Sequence, residues 1–221
     1  MIISVHIPRT AGSSFRAYLR GHSDISLMED YGSPIMVPSL IRNTYAKLGQ
    51  VKNNFTSIPD QYNCLHGHFL PIKYRQYLKK PDVHFITWLR EPALRIRSQY
   101  DYCFQSDKAV DRSPFQNKVA RENWSFEKFY NDARMQNLYS KFLWKFPISN
   151  FDFIGIVEKY DEDFKYFCET YLSDYNPKYM HGNRTLSAQV NAAERAAIEK
   201  LNGDDYFIYR EALQLRKVRV E

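Results

Sequence analysis

Two short stretches hold residues whose types and spacing suit the handling of an anion. The first, HIPRTAGSSF (6–15), places Arg9, Thr10, Ala11, Gly12, Ser13 and Ser14 between an apolar run and an amphipathic segment. A strand that turns tightly into a helix sets the helix's unsatisfied N–H groups and the positive end of its dipole beside the turn, where phosphate-like groups bind. Gly12 lets the backbone approach such a ligand, the hydroxyls can donate hydrogen bonds, and Arg9 supplies a charge. The same residues also read as a plain strand–helix connection in which Ser13 caps the helix. The second stretch, TWLREPALRIRSQYDYC (87–103), carries Arg90 out of the carboxyl end of a strand, the edge where open α/β sheets bind ligands. Pro92 fits a helix's first turn, and Ser98 lies about two turns along that helix. Arg90 and Ser98 can therefore converge on one phosphate. An ion-paired arginine and a small packing serine are the alternative.

A third stretch, CLHGHF (64–69), contributes His66 and His68. Histidine is the usual general base near neutrality. The i, i+2 spacing puts both on one face if the strand runs through them, whereas Gly67 can instead mark a bend. For each, a hydrogen-bonded structural role is the competing reading. The loop at 6–15 is not a Walker A sequence, which needs two glycines and a Lys followed by Ser or Thr. The run HFITWLREP ends in Arg90 where a magnesium-dependent P-loop enzyme places an acid. No metal is expected.

These residues need a frame that brings distant stretches together, and the chain patterns as one. Strand-like runs at 2–7, 62–67, 83–89 and 151–157 alternate with helical patterns at 13–21, 71–79, 91–105, 125–146 with a break, 159–172, 187–201 and 204–217. Runs such as FITWL are apolar on both faces, as in a parallel sheet covered by helices. Residues 106–124 read as a polar surface excursion and 173–185 as a loop. With no repeat or linker in view, one α/β domain spanning 1–221 is expected.

Composition sets wide bounds. A 221-residue chain that is 44% apolar is long enough for one sizeable core. The formal charge of +6 suits an anionic ligand. The basic residues read as dispersed, so a nucleic-acid module is disfavoured, although LQLRKVRV near the C-terminus could form a small basic surface. Cys64, Cys103 and Cys168 lack metal-pair spacing and read as reduced thiols. The opening strand-like run has no charged leader, and no apolar run reaches the length of a membrane span, so a soluble, cytoplasmic protein is expected.

HIPRTAGSSF resembles the 5′-phosphosulfate loop of sulfotransferases that use 3′-phosphoadenosine 5′-phosphosulfate (PAPS), and LREPALRIRSQY resembles their 3′-phosphate motif, with Arg90 and Ser98 on the matching positions. LHGHF resembles the His-Gly-His segment of the glycan 2-O-sulfotransferase branch. The similarity runs on through NLYSKFL (137–143), FDFIGIVEKYDEDF (151–164) and NRTLSAQ (183–189). It implies a P-loop-like sulfotransferase fold and transfer of a sulfuryl group from PAPS to an acceptor hydroxyl, with a carbohydrate as the acceptor class. It also implies a nucleotide cradle of Arg9, Thr10, Ala11, Gly12, Ser13, Ser14, Arg90 and Ser98, joined by Arg184 and Thr185 from a closing loop. His68 takes the base position, and His66 an orienting or acceptor-contacting one. The family's first loop normally has Lys where this chain has Arg9. Arg keeps the charge but cannot donate its proton at neutral pH. A phosphate leaving group needs stabilisation more than protonation, which favours an electrostatic role for Arg9.

Two other functions remain open on the sequence, a nucleotide-binding homologue without turnover and a magnesium-dependent P-loop kinase. The acceptor is not legible. Tyr100, Tyr102, Phe104 and Trp124 could line a sugar-stacking cleft or pack beneath a loop.

Overall fold

A computed structural model of the chain describes residues 1–105, 110, 112–172 and 189–220. Five strands, β1 (Ile2–Val5), β2 (Leu27–Glu29), β3 (Cys64–Gly67), β4 (His84–Leu89) and β5 (Phe153–Ile156), form one sheet in the order β2-β3-β1-β4-β5. Every pairing is parallel, with Ile2 opposite both Cys64 and His84, Ser4 opposite His66, and Leu89 opposite Ile156. The expected α/β class is therefore observed. All carboxyl strand ends open onto one edge, and the first motif leaves the central strand while the second leaves its neighbour.

Alternation along each strand feeds two cores. Ile3, Val5, Leu65, Phe85, Leu89 and Ile154 face one side, with Tyr139 and Phe142 of α6 (Leu138–Phe142) and Ala212 of α9 (Gly203–Val220). Ile2, Cys64, Ile86, Trp88 and Phe153 face the other. There they meet Phe15, Tyr18 and Leu19 of α1 (Gly12–Gly21) and Phe164 and Phe167 of α7 (Tyr160–Tyr171). Each such buried aromatic or leucine contributes about 1.5–3 kcal/mol of transfer free energy. A third cluster sits beside the sheet, joining α3 (Pro92–Phe104), α4 (Pro114–Arg121), α5 (Phe126–Asn131), α8 (Ala192–Leu201) and Tyr206 of α9.

The elements depart from the sequence expectation in four places. Residues 39–55, read as no element, form α2 (Ser39–Phe55). Its buried residues are Arg42 and Ala46, while its large apolar residues form an arc that faces outward rather than onto a core. The short β2 is an edge strand of only half-buried residues. The excursion at 106–124 contains α4, started by a capping box in which Ser113 and Gln116 satisfy each other's backbone N–H. Residues 71–77 wind as 3₁₀ turns rather than an α-helix.

The basic tail also resolves differently. Arg216 and Arg219 of α9 lie against Asp163 of α7, a carboxylate 1% exposed that also accepts from Ile156 N at 2.8 Å. Arg219 further donates to the Ile154 carbonyl and covers the Phe153 ring. These two side chains fasten α9 to the sheet and do not form a basic surface. Asp163→Ala leaves both guanidinium groups facing a hole, so it should destabilise the protein by about 3 kcal/mol or more in urea unfolding. A loss below about 1 kcal/mol would show that the clamp contributes little.

Candidate functional site

The loop after β1 holds a conformation few side chains adopt. Arg9 and Ala11 have φ of 69° and 63°, in the left-handed region, at a cost on the order of 1 kcal/mol or more each. Thr10 pins the turn, since its hydroxyl donates to the Ile7 carbonyl at 2.8 Å and the residue is 1% exposed. Its side chain is thus committed to the loop and does not reach toward a ligand. Helix α1 starts at Gly12 with Ala11 as N-cap, and no side chain caps it. Ser13 therefore sits inside the first turn and not at the cap. An uncapped first turn behind a strained loop is a ready anion cradle. Gly12 has a further reason to be glycine: a Cβ there would lie 1.8 Å from the His6 ring.

The second motif meets the first directly. Arg9 Nε donates to Ser98 Oγ at 3.0 Å across 89 residues of sequence, and Arg9 also lies over the Tyr102 ring, 4.8 Å from its centroid. Burial pushes the Arg9 guanidinium below its ordinary pKa, and the neighbouring Arg90 pushes it further. Burial likewise lowers Arg90, against the opposing pull of Glu158, Tyr139 and Glu91. Two like charges side by side in a partly buried place are relieved by an anion between them. Tyr139, fully buried, holds the Arg90 backbone by accepting from its N–H at 3.1 Å and donating to its carbonyl. Glu91 caps α3 through Leu94 N and ties it to Arg195 of α8 and Tyr206 of α9. Glu158, at the end of β5, accepts from Glu91 N and from the Tyr209 hydroxyl.

Strands β1 and β3 continue as a cross-strand pair of histidine rows. Ser4 and His66 are register partners joined Oγ to Nδ1 at 2.9 Å. Beyond them His6 stacks with His66 at 5.1 Å between centroids and lies 4.2 Å from His68. Strand β3 ends at Gly67 and His68 lies in the bend that follows, yet its ring still reaches that of His6. That glycine serves the neighbouring strand, because a Cβ would come 1.8 Å from the Asp30 carbonyl oxygen. His66 is 1% exposed and packs as a core residue, so orientation is the role open to it and acceptor contact is not. His68 is less enclosed and its Nδ1 bonds the His6 carbonyl. A carbonyl oxygen only accepts, so Nδ1 carries the proton and Nε2 holds the lone pair a base needs. Burial is the main reason its pKa falls below 6.5, with the His6 carbonyl opposing and Arg16 assisting.

His6 and Tyr31 complete this cluster and went unrecognised in the sequence. Tyr31 packs edge-on to His68 at 4.8 Å, hydrogen-bonds His6 Nδ1 at 3.2 Å and is covered by Arg16, which pairs with Glu29. The Ser4, His6 alternation matching His66, His68 was the available signal. Of the four candidate cleft aromatics, Tyr102 stands at the loop, while Tyr100 and Trp124 pack in the third cluster. Arg184 and Thr185 lie outside the described residues. A cleft of about 550 Å³ is walled by Trp144, Phe146, Ile148, Ile208 and Leu215. Phe146 packs on Phe85 at the start of β4, which puts that cleft by the opposite edge of the sheet from the loop.

No protein-family model matches the sequence, and no curated protein does. Among solved structures, a sulfotransferase from Alicyclobacillus acidocaldarius is similar over 94% of this chain and 92% of that one, with a TM-score of 0.52 and 16% identity. At that identity the likeness establishes a shared fold. The mouse sulfotransferase SULT7A1 complexed with PAP overlaps 90% of this chain and 62% of that one, at a TM-score of 0.37 and 13% identity. That overlap is too loose to carry an argument.

The histidine geometry predicts a specific titration. Histidine-selective ¹⁵N NMR should find His68 neutral at pH 7 as the Nδ1–H tautomer, with a midpoint below 6.5, so that the Nε2 lone pair persists above that midpoint and is lost on acidification. His66 should titrate lower still, near the value of about 3 to which burial drives it. An Nε2–H tautomer or a midpoint above 6.5 for His68 contradicts the assignment.

Proposed function

We propose that this protein transfers a sulfuryl group from PAPS to an acceptor hydroxyl, with a carbohydrate as the acceptor class. The observation that carries the reading is the Arg9–Ser98 hydrogen bond, with Arg90 beside it and a base-form histidine at the same sheet edge. That contact brings the two motifs that resemble the PAPS-binding segments together, which supports reading them as one site.

In this reading the N–H groups of the first turn of α1 and the Arg9 guanidinium receive the 5′-phosphosulfate, and Arg90 and Ser98 receive the 3′-phosphate. His68 Nε2 takes the proton of the acceptor hydroxyl as its oxygen attacks sulfur. The bond between sulfur and the bridging phosphate oxygen breaks, and the electron pair leaves on the phosphate, where Arg9 stabilises it. Arg in place of Lys meets that need by charge alone, since the leaving phosphate does not require a proton. Ser98 and Tyr102 hold the guanidinium in place. Arg184 and Thr185, outside the described residues, would join the nucleotide cradle, as the family resemblance implies. A cytoplasmic setting fits the free, buried state of Cys64, Cys103 and Cys168.

The test is transfer of labelled sulfuryl from PAPS, with a chelator present, across a panel of glycans, lipids and small alcohols. With an accepted substrate, His68→Ala should lower turnover about a hundredfold while nucleotide affinity and melting temperature stay near wild type. The wild-type rate should rise with pH through a midpoint below 6.5, and that limb should vanish in the variant. His66→Ala should instead lower the melting temperature, because it empties a buried position. Full turnover in folded His68→Ala would remove His68 from the mechanism, and transfer from magnesium-ATP in place of PAPS would replace the proposed reaction.

A further inference from the structure

The exposed face of α2 is unusual for a helix on the surface of a globular protein. Leu40, Ile41, Leu48, Val51 and Phe55 all point outward, with Leu40 78%, Leu48 65% and Phe55 86% exposed. On a 3.6-residue wheel they fill one arc roughly 100° wide, opposite the face that buries Arg42 and Ala46. Lys47 and Lys52 fall on the two edges of that arc, and the helix contains no acid.

The charge around it is as one-sided. Residues 31–81 hold seven Lys and Arg against a single acid, Asp60, a net +6 that equals the formal charge of the whole chain. The basic residues are therefore not dispersed in effect, because the rest of the chain is balanced. Of these seven, Arg75 in the segment packed against α2 and Lys79 and Lys80 just beyond it are exposed, whereas Arg42 is buried and Lys73 pairs with Asp30. Lys47 itself lies over the half-buried Trp144 ring.

We propose that α2 docks this protein on an anionic lipid surface, its apolar arc entering the interface and its flanking cations meeting lipid phosphates. Side chains this exposed project from the surface and do not line a groove, which suits a fluid interface better than a shaped partner. Lysine is depleted from protein–protein interfaces, but at a bilayer its stem can lie along apolar surface while the ammonium stays with the headgroups. The docked face is also tied to the site. The Tyr45 hydroxyl of α2 bonds the Gly32 carbonyl, next to the Tyr31 that packs on His68, and Lys73 beneath α2 pairs with Asp30. Docking therefore holds the segment that walls the histidine cluster close to the membrane. It goes beyond sulfuryl transfer and does not depend on it.

The test is flotation of the full chain, without nucleotide, on phosphatidylcholine vesicles with and without phosphatidylglycerol. Wild type should float with the anionic vesicles and stay largely free of the neutral ones, with binding weakened by added salt. Leu48→Ser combined with Phe55→Ser should weaken partition at least about tenfold, and Lys47→Glu combined with Lys52→Glu should abolish the anionic preference, both with unchanged melting temperatures. The proposal is overturned if wild type does not float, or if the serine variant floats as well as wild type. A dimer in solution that the serine variant dissociates, without vesicle binding, would assign the face to a second copy of this chain instead. Because no nucleotide is present, none of these results bears on transfer from PAPS.

Discussion

Arg9 and Arg90 repel each other, and much of the molecule is arranged so that they stand together anyway. They leave adjacent strands, β1 and β4, at the middle of the sheet, so parallel pairing alone brings them to one edge. Burial raises the cost, since each guanidinium loses water, and the nearby carboxylates Asp101, Glu91 and Glu158 offset only part of that loss. The strain of the Arg9 and Ala11 backbone adds to it. Tyr139 fixes the Arg90 backbone, Ser98 and Tyr102 fix the Arg9 side chain, and Glu91 anchors the start of α3 to two further helices. The cost is what the proposed ligand, an anion carrying more than one negative group, would offset on binding.

The histidine rows show a different economy. Ser4 and His66 meet because β1 and β3 pair in register, His6 and His68 join them just past the strand ends, and burial keeps the three imidazoles neutral. Only His68 combines partial exposure with a tautomer fixed by a carbonyl. The inner pair supports its ring. Gly12 is needed for the same reason, since a side chain there would displace His6 and with it the stack.

The strands and the two anion motifs were legible because β-type apolar runs, a Gly-Ser turn and a proline-initiated helix each leave a local signature. The sequence pointed Ser98 toward Arg90, whereas the hydrogen bond observed joins it to Arg9, and of the two readings of Gly67 the bend is the one found. What stayed hidden depends on tertiary context. Helix α2 carries a helical apolar arc, but nothing in the sequence says that this arc faces outward, and α4 is marked by its cap rather than by periodicity. Thr10 looked like a ligand donor, yet the loop uses its hydroxyl on Ile7. Arg216 and Arg219 looked like surface charge until Asp163, some fifty residues away, was seen beneath them. Tyr139 and Tyr31 act through contacts that no spacing encodes.

The central claim is that the paired arginines form a site for a nucleotide with phosphates at both the 5′ and 3′ positions. Isothermal titration in the presence of a chelator, comparing adenosine 3′,5′-bisphosphate with adenosine 5′-phosphate, tests it most directly. The account predicts that the bisphosphate binds at least tenfold more tightly, a difference of about 1.4 kcal/mol or more, and that Arg90→Ala erases most of that margin. Equal affinity for the two nucleotides in the wild-type protein, or a margin that survives Arg90→Ala, would contradict it.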